Sequence, residues 1–269
     1  MRRIMLTVAY DGSAYHGWQI EPTGITVEEV LNRALSALLR EEIRVSGASR
    51  TDAGVHARGN LCVFDTGAPI PPEKIAPALL GRLPADIVVR ASREVPEDFH
   101  PRRCDSVKTY EYTLYRDRLP DPLVRNTSWF FYRDLDVEAM RRAAAFLVGE
   151  HDFASFCAAD AQVQTTVRRI TSLTLLEEGP FLKIRVSGTG FLYNMVRILT
   201  GTLVQVGLGQ KKPEEMITVL NAKDRGKAGP TAPPQGLCLM KIDLYPDGFP
   251  ADPAGGKEAV GGQIPFSPL

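Results

Sequence analysis

TVEEVLNRALSALLREEIRVSG, residues 26–47, changes its apolar period from helical to extended within one short stretch. Val27, Val30, Leu31, Ala34, Leu35 and Leu38 recur at three- and four-residue spacing, the stripe of an amphipathic helix over 26–39. Thr26 and Glu29 match a capping box at its start. Ile43 and Val45 then alternate with polar residues, which predicts a strand at 42–48. Working outward, RIMLTVAY (3–10), NLCVFDT (60–66) and DIVVRA (86–91) read as strands, and 72–81 reads as a short helix behind Pro71-Pro72. The order is β-α-β-β-α-β, and it returns downstream. KTYEYTLY (108–115) is a strand, 136–148 is a helix ended by Gly149, and 168–178 and 181–187 are strands joined at Gly179-Pro180. Residues 190–207 read as a long apolar helix, a short helix starts at Pro213, and LCLMKIDL (237–244) is a last strand. The expectation is an α+β protein of two split β-α-β-β-α-β halves with antiparallel sheets and an active-site cleft between them. The halves span residues 1–105 and 106–245, followed by a Pro/Gly-rich tail at 246–269.

Lysine plus arginine equals aspartate plus glutamate at 32 each, so the chain carries no net charge. That excludes a generally basic nucleic-acid protein. Arginine dominates the cations, a residue suited to bidentate phosphate contact, though codon usage in a GC-rich genome gives the same bias. RNA binding would then need positive charge gathered in one place and acids placed elsewhere. Cys62, Cys104, Cys157 and Cys238 are widely spaced, as expected of reduced thiols in a cytoplasmic protein. No His or Cys pair has ligand spacing, so no metal is expected. No apolar run is long enough for a membrane. The basic-then-apolar start MRRIMLTVAYDG lacks a small-residue cleavage site and reads as the first strand.

Chemistry concentrates in a few segments. GASRTDAGVHARGN (47–60) sets Arg50, Asp52, His56 and Arg58 among small residues that permit close approach of backbone or ligand. The plain alternative is a tight connection with Asp52 satisfying turn amides. SGTGFLYNMVRILTGTLVQVGLG (187–209) has Arg197 as its one charge, and a buried lone arginine demands a partner. Tyr193, Gly201 and Val204 on the face opposite its core stripe are not a normal solvated face. Phe191 and Leu192 offer an apolar wall. Tyr110 is a core aromatic by default, or a cleft residue able to stack on a base and handle a proton. In YDGSAYHGWQ (10–19), Tyr15, His16 and Trp18 form a stacking platform or cap the local core. Arg102, Arg103, Arg116, Arg118, Arg125 and Arg168 lie in poorly patterned stretches and are solvated charges by default.

Together these segments resemble the tRNA pseudouridine synthase A family. The matches are YDGxxYxGWQ, GxSRTDxGVHA, the strand KTYEY, HDFxSF at 151–156 and GxGFLYxMVR, in that family's order. The resemblance implies the pseudouridine synthase fold and isomerisation of uridine to pseudouridine at positions 38, 39 and 40 of the tRNA anticodon arm. It implies that Asp52 is the catalytic carboxylate, that Arg50 fills the place of the flipped nucleotide, that Tyr110 is the active-site tyrosine, and that Arg197 pairs with the carboxylate. It also implies a homodimer, with no metal and no cofactor. Arg58, Phe191, Leu192, Tyr15 and Trp18 are the expected substrate-binding residues.

The reaction breaks the N1–C1′ bond, turns the uracil and rejoins it through C5; no electrons or groups leave. Asp52 would attack C1′ or remove the C2′ proton, and either role needs it ionised. Two rivals are weaker. A non-catalytic RNA-binding module would carry the aromatic RNP pattern, which is absent from these strands. A nucleoside hydrolase would pair two carboxylates, and Asp52 has no acid close to it in sequence.

Overall fold

In a computed structural model of the chain, residues 1–158, 163–245 and 248–249 are described. Apart from 248–249, the Pro/Gly tail lies outside them. The chain divides into two compact units, Met1–Val107 with the stretch that begins at Leu239, and Lys108–Cys238.

The first unit opens with β1 (Arg2–Tyr10), followed by α1 (Val27–Leu39), β2 (Ser46–Gly47), β3 (His56–Thr66), α2 (Pro72–Leu79) and β4 (Ile87–Val95). β1 pairs antiparallel with β3 on one side and β4 on the other, and β2 pairs antiparallel with β3. The expected strand at 42–48 shrinks to two residues. Its backbone donors are taken by α1 instead: Ile43 N–H donates to Ser36 Oγ at 2.9 Å and Val45 N–H to Asn32 Oδ1 at 2.8 Å. Ile43 and Val45 are buried all the same, so the alternation reported burial correctly although the ladder forms only at Ser46–Gly47. Thr26 caps α1 through Glu29 N–H, and the buried stripe runs through Val27, Leu31, Ala34, Leu35 and Leu39. The expected Val30 and Leu38 are half-buried, and Leu39, four residues after Leu35, is buried instead; Arg40 in the left-handed region ends the helix.

The second unit contains β5 (Asp105–Tyr115, its first residues belonging to the first unit), β6 (Trp129–Phe130), α3 (Val137–Ala145), β7 (Gly149–Asp152), β8 (Val167–Glu178), β9 (Phe181–Gly188), α4 (Met195–Gly207) and α5 (Glu215–Ala222). β5, β9, β8 and β7 form an antiparallel series, while the two-residue β6 runs parallel to β5. The last strand, β10 (Leu237–Tyr245), was read from sequence with the second half; from Leu239 on it belongs to the first unit, next to β3.

The long helix expected over 190–207 begins only at Met195. Gly188 and Gly190 precede it, and Asn194 sits at φ 59°, a left-handed turn that stops the helix extending backward. Phe191, Leu192 and Tyr193 therefore lie on a loop. Within α4 every residue is buried except Arg197 and Gln205. The face holding Gly201 is covered by the segment at 229–232, where a Cβ on Gly201 would stand 1.8 Å from the Pro230 carbonyl oxygen. Among the described residues no helix is long and apolar enough to cross a membrane.

Candidate active site

The loop between β2 and β3 carries Arg50, Thr51 and Asp52, and the YDGSAYHGW segment holds it from beneath. Thr51, 6% exposed, is gripped twice. Its hydroxyl shares a 2.7 Å hydrogen bond with the Tyr10 hydroxyl, and its carbonyl accepts from Trp18 N–H at 3.0 Å. Gly17, at φ +85°, lies so close that a Cβ there would meet the Thr51 carbonyl oxygen at 2.5 Å. Gly54 N–H donates to the Tyr15 carbonyl at 3.2 Å. Asn60, fully buried on β3, donates to the Ser49 carbonyl at 3.0 Å and reaches the Tyr10 hydroxyl at 3.3 Å. Arg50 and Asp52 flank this fixed threonine: Arg50 is exposed and Asp52 half-buried.

His56, whose part the sequence left open, braces the same structure. Its Nδ1 accepts from Gly12 N–H at 3.0 Å, and Asp11 Oδ1 lies 3.1 Å from that nitrogen. Arg58 is exposed on β3, where its neighbours in the strand are buried. Tyr15 and Trp18 sit in the core, 6% and 1% exposed. Of the two readings open for them, capping the local core is the one burial supports, because rings so enclosed present no face to a base. The Tyr15 hydroxyl donates to Asp86 Oδ1 at 2.6 Å, and burial together with that carboxylate pushes its pKa up. Trp18 lies against Gly47 and 5.9 Å from the Tyr10 ring. His16 is exposed beside Gly24.

In the second unit Tyr110 on β5 is 7% exposed and meets Phe191 edge-on, with ring centroids 5.2 Å apart. Leu192 is buried and Phe191 half-buried. Arg197 leaves the first turn of α4. Its Nε donates to the Ala232 carbonyl at 2.7 Å and its Nη1 to Asn194 Oδ1 at 2.7 Å. The left-handed Asn194 that delays α4 thus also orients this guanidinium. Burial raises the Tyr112 hydroxyl pKa, a rise that the Arg197 charge partly offsets.

The HDFASF segment is architectural. Asp152 Oδ1 accepts from Ala154 N–H, and its other oxygen lies 2.8 Å from Lys223 Nζ. Buried Ser155 donates to the Val219 carbonyl and accepts from Asp224 N–H at 2.9 Å, which ties β7 to the end of α5. Sequence reasoning passed over Thr51, Tyr10, Asn60 and Asn194. Thr51, set between two charged residues in a run of small ones, was the readable signal.

The first unit thus presents an acid and an arginine on a braced loop, and the second an anchored arginine at the start of α4 beside an aromatic residue. The family model described as "tRNA pseudouridine synthase" matches residues 6–102 and 143–245, which include every motif above except the strand at 108–112. The chain belongs to the tRNA pseudouridine synthase family, whose reaction is the isomerisation of uridine to pseudouridine in tRNA. A protein named "tRNA pseudouridine synthase A" from Geobacter sp. (strain M21) is 50% identical over 248 residues, covering 92% of this chain and all of that one. One of the same name from Citrifermentans bemidjiense is 50% identical over 243 residues, covering 90% of this chain and 97% of that one. The solved structure "Crystal structure of the archaeal box H/ACA sRNP Nop10-Cbf5 complex" aligns at TM-score 0.33 and 13% identity over 76% of this chain and 42% of that chain, a likeness that carries no argument.

Proposed function

We propose that the protein isomerises uridines at positions 38, 39 and 40 in the anticodon arm of tRNA, with Asp52 as the catalytic carboxylate. The observation that carries this reading is the mounting of Asp52. It follows a threonine held through both side chain and backbone, on a loop rich in small residues. A half-buried acid so fixed suits attack at C1′ or removal of the C2′ proton, and both need the ionised form. Arg197 is the cation assigned to keep it charged; its own anchors at Ala232 and Asn194 leave the guanidinium little freedom to turn away. Arg50, exposed two residues before Asp52, fills the stack vacated by the flipped uridine. Tyr110, steadied by Phe191, stacks on the uracil and assists proton loss from C5. Phe191 and Leu192 exclude the water that would otherwise capture the activated sugar.

The resemblance of the motifs supports a homodimer. The cysteines, none of which forms a disulfide, support a cytoplasmic location. Carbodiimide mapping of pseudouridine in tRNA treated with wild-type and Asp52→Asn protein tests the reading. Modification at 38–40 by the wild type alone is expected; a fully active Asp52→Asn protein would refute the assignment.

A further inference from the structure

A chain of zero net charge must still offer an RNA a place to bind. In the first unit two groups of arginines stand in contrast. Arg2, Arg3, Arg33 and Arg44 each sit on a carboxylate, of Glu94, Asp65, Glu29 and Glu42 respectively. Arg50, Arg102 and Arg103 are exposed and, among the described residues, form no ion pair.

The second group is built around a fixed turn. Arg102 Nε donates to the Gly47 carbonyl at 2.7 Å, three residues before Arg50, and Arg102 N–H donates to His100 Nδ1 at 3.2 Å. Arg103 N–H donates to the His100 carbonyl at 2.9 Å, and His100 Nε2 lies 3.4 Å from Ser46 Oγ. The turn is thereby fastened to the strand that leads into the Asp52 loop. Burial, then the charges of Arg103, Arg102 and Arg3, lower the His100 pKa. Burial, then Arg50, lower that of Arg102. The one acid that acts on Arg102, Glu28, already accepts from Ile20 N–H at 3.0 Å. Like charges held together without a carboxylate repel one another, and a bound anion relieves that cost.

We propose that the His100 turn is a phosphodiester-binding site, in which Arg102 and Arg103, with Arg50 alongside, grip the RNA strand entering the active site. Guanidinium groups suit phosphate by their planar donor fork. The proposal rests on the isomerase reading for the identity of the RNA, but its test needs no turnover.

Binding of tRNA is measured across a salt series for wild type, Arg102→Gln, Arg103→Gln, Arg102→Lys and the ion-paired control Arg33→Gln. Each glutamine variant in the turn should weaken binding about tenfold at low salt. Each should also flatten the slope of log affinity against log salt by about 0.7–0.9, the signature of one lost phosphate contact. Arg102→Lys and Arg33→Gln should keep the wild-type slope. Because Arg102 also holds Gly47, Arg103→Gln, whose side chain makes no hydrogen bond or ion pair among the described residues, keeps the test independent of loop damage. Unchanged slopes in both turn variants would overturn the proposal, as would equal losses in Arg102→Lys and Arg102→Gln or in the control. If the isomerase reading were at fault, wild-type protein would form no pseudouridine at all. If only the phosphate site were at fault, pseudouridine would form while the slopes stood still.

Discussion

Replacing Thr51 with valine separates holding the loop from doing the chemistry. Valine keeps the shape of the side chain and removes the hydroxyl that meets Tyr10 at 2.7 Å in a site where both residues are about 5% exposed (6% and 5%). A buried neutral hydrogen bond of this kind contributes about 1–1.5 kcal/mol, and more when a partner loses solvation. Thr51→Val should therefore cost about 1–2 kcal/mol, which lowers Tm by about 2–5 °C in a chain of this size. Tyr10→Phe should cost a similar amount from the other side. If the two act through one bond, the double variant should fall short of the sum by about 1 kcal/mol. The catalytic consequence differs from the stability one. Thr51 is bonded directly to Asp52, and a displacement of about 1 Å at a reacting group costs up to about a hundredfold in rate. Thr51→Val should thus lower kcat roughly tenfold with KM nearly unchanged, read by single-turnover pseudouridine formation at a temperature where the variant is fully folded. Additive stabilities would refute the shared bond. Full kcat with the coupling intact would show that the bond stabilises the unit without positioning Asp52.

Arg197→Met should depress pseudouridine formation far more than tRNA affinity; comparable losses in single-turnover rate and Kd would contradict the proposed pairing with Asp52. Tyr110→Phe should preserve binding and slow product formation, and an unchanged rate would remove the hydroxyl from the C5 proton step. Gly17→Ala, at φ +85° and against the Thr51 carbonyl, should destabilise by more than about 2 kcal/mol and impair activity with it, measured by urea unfolding. Asp152 tests the pH dependence. Hydrogen bonds from Lys223 and Thr166 hold its pKa below the ordinary aspartate value. The folded state thus binds its proton more weakly than the unfolded state, so the stabilisation is present above about pH 4 and is lost as pH falls through the depressed folded value. Asp152→Asn should destabilise the protein at pH 7 and flatten its loss of stability in acid; an unchanged acid limb would remove Asp152 from that loss.

What could be read in advance follows from how local each signal is. The helical period of α1 and the short apolar stretches of β1, β3, β5, β8 and β9 are local, and these elements stand close to where the sequence placed them. The failures are non-local. Ile43 and Val45 carried the pattern of a strand, but Ser36 and Asn32, reaching across from α1, took the backbone donors the ladder needed. The residues before Met195 carried a helical pattern, but Asn194 in the left-handed region overrode it, and its side chain serves Arg197. The short strands β6 and β7 were missed because two and four residues show no period. At the site the acid and the arginines were legible as rare charges among small or apolar residues. Tyr15 and Trp18 were not, since an aromatic in a loop motif looks alike in sequence whether it faces solvent or core.

That last ambiguity resolves into a division of labour. The YDGSAYHGW segment offers its rings and backbone inward, to Thr51, Asn60 and Gly47, so its work is to make one geometry of the neighbouring loop much cheaper than any other. The loop can then afford small residues around Asp52, which by themselves would leave it slack. The same logic accounts for a neutral chain acting on a polyanion. Carboxylates sit on Arg2, Arg3, Arg33 and Arg44, whereas Arg50, Arg102 and Arg103 form no ion pair among the described residues, the contrast on which the proposed phosphate site rests. Releasing one of these paired arginines should therefore strengthen RNA binding away from the loop. Asp65→Asn, which releases Arg3 on the first strand, should raise non-productive RNA affinity while leaving kcat alone. That outcome would appear as tighter binding with a steeper salt slope and no gain in pseudouridine formation per bound tRNA.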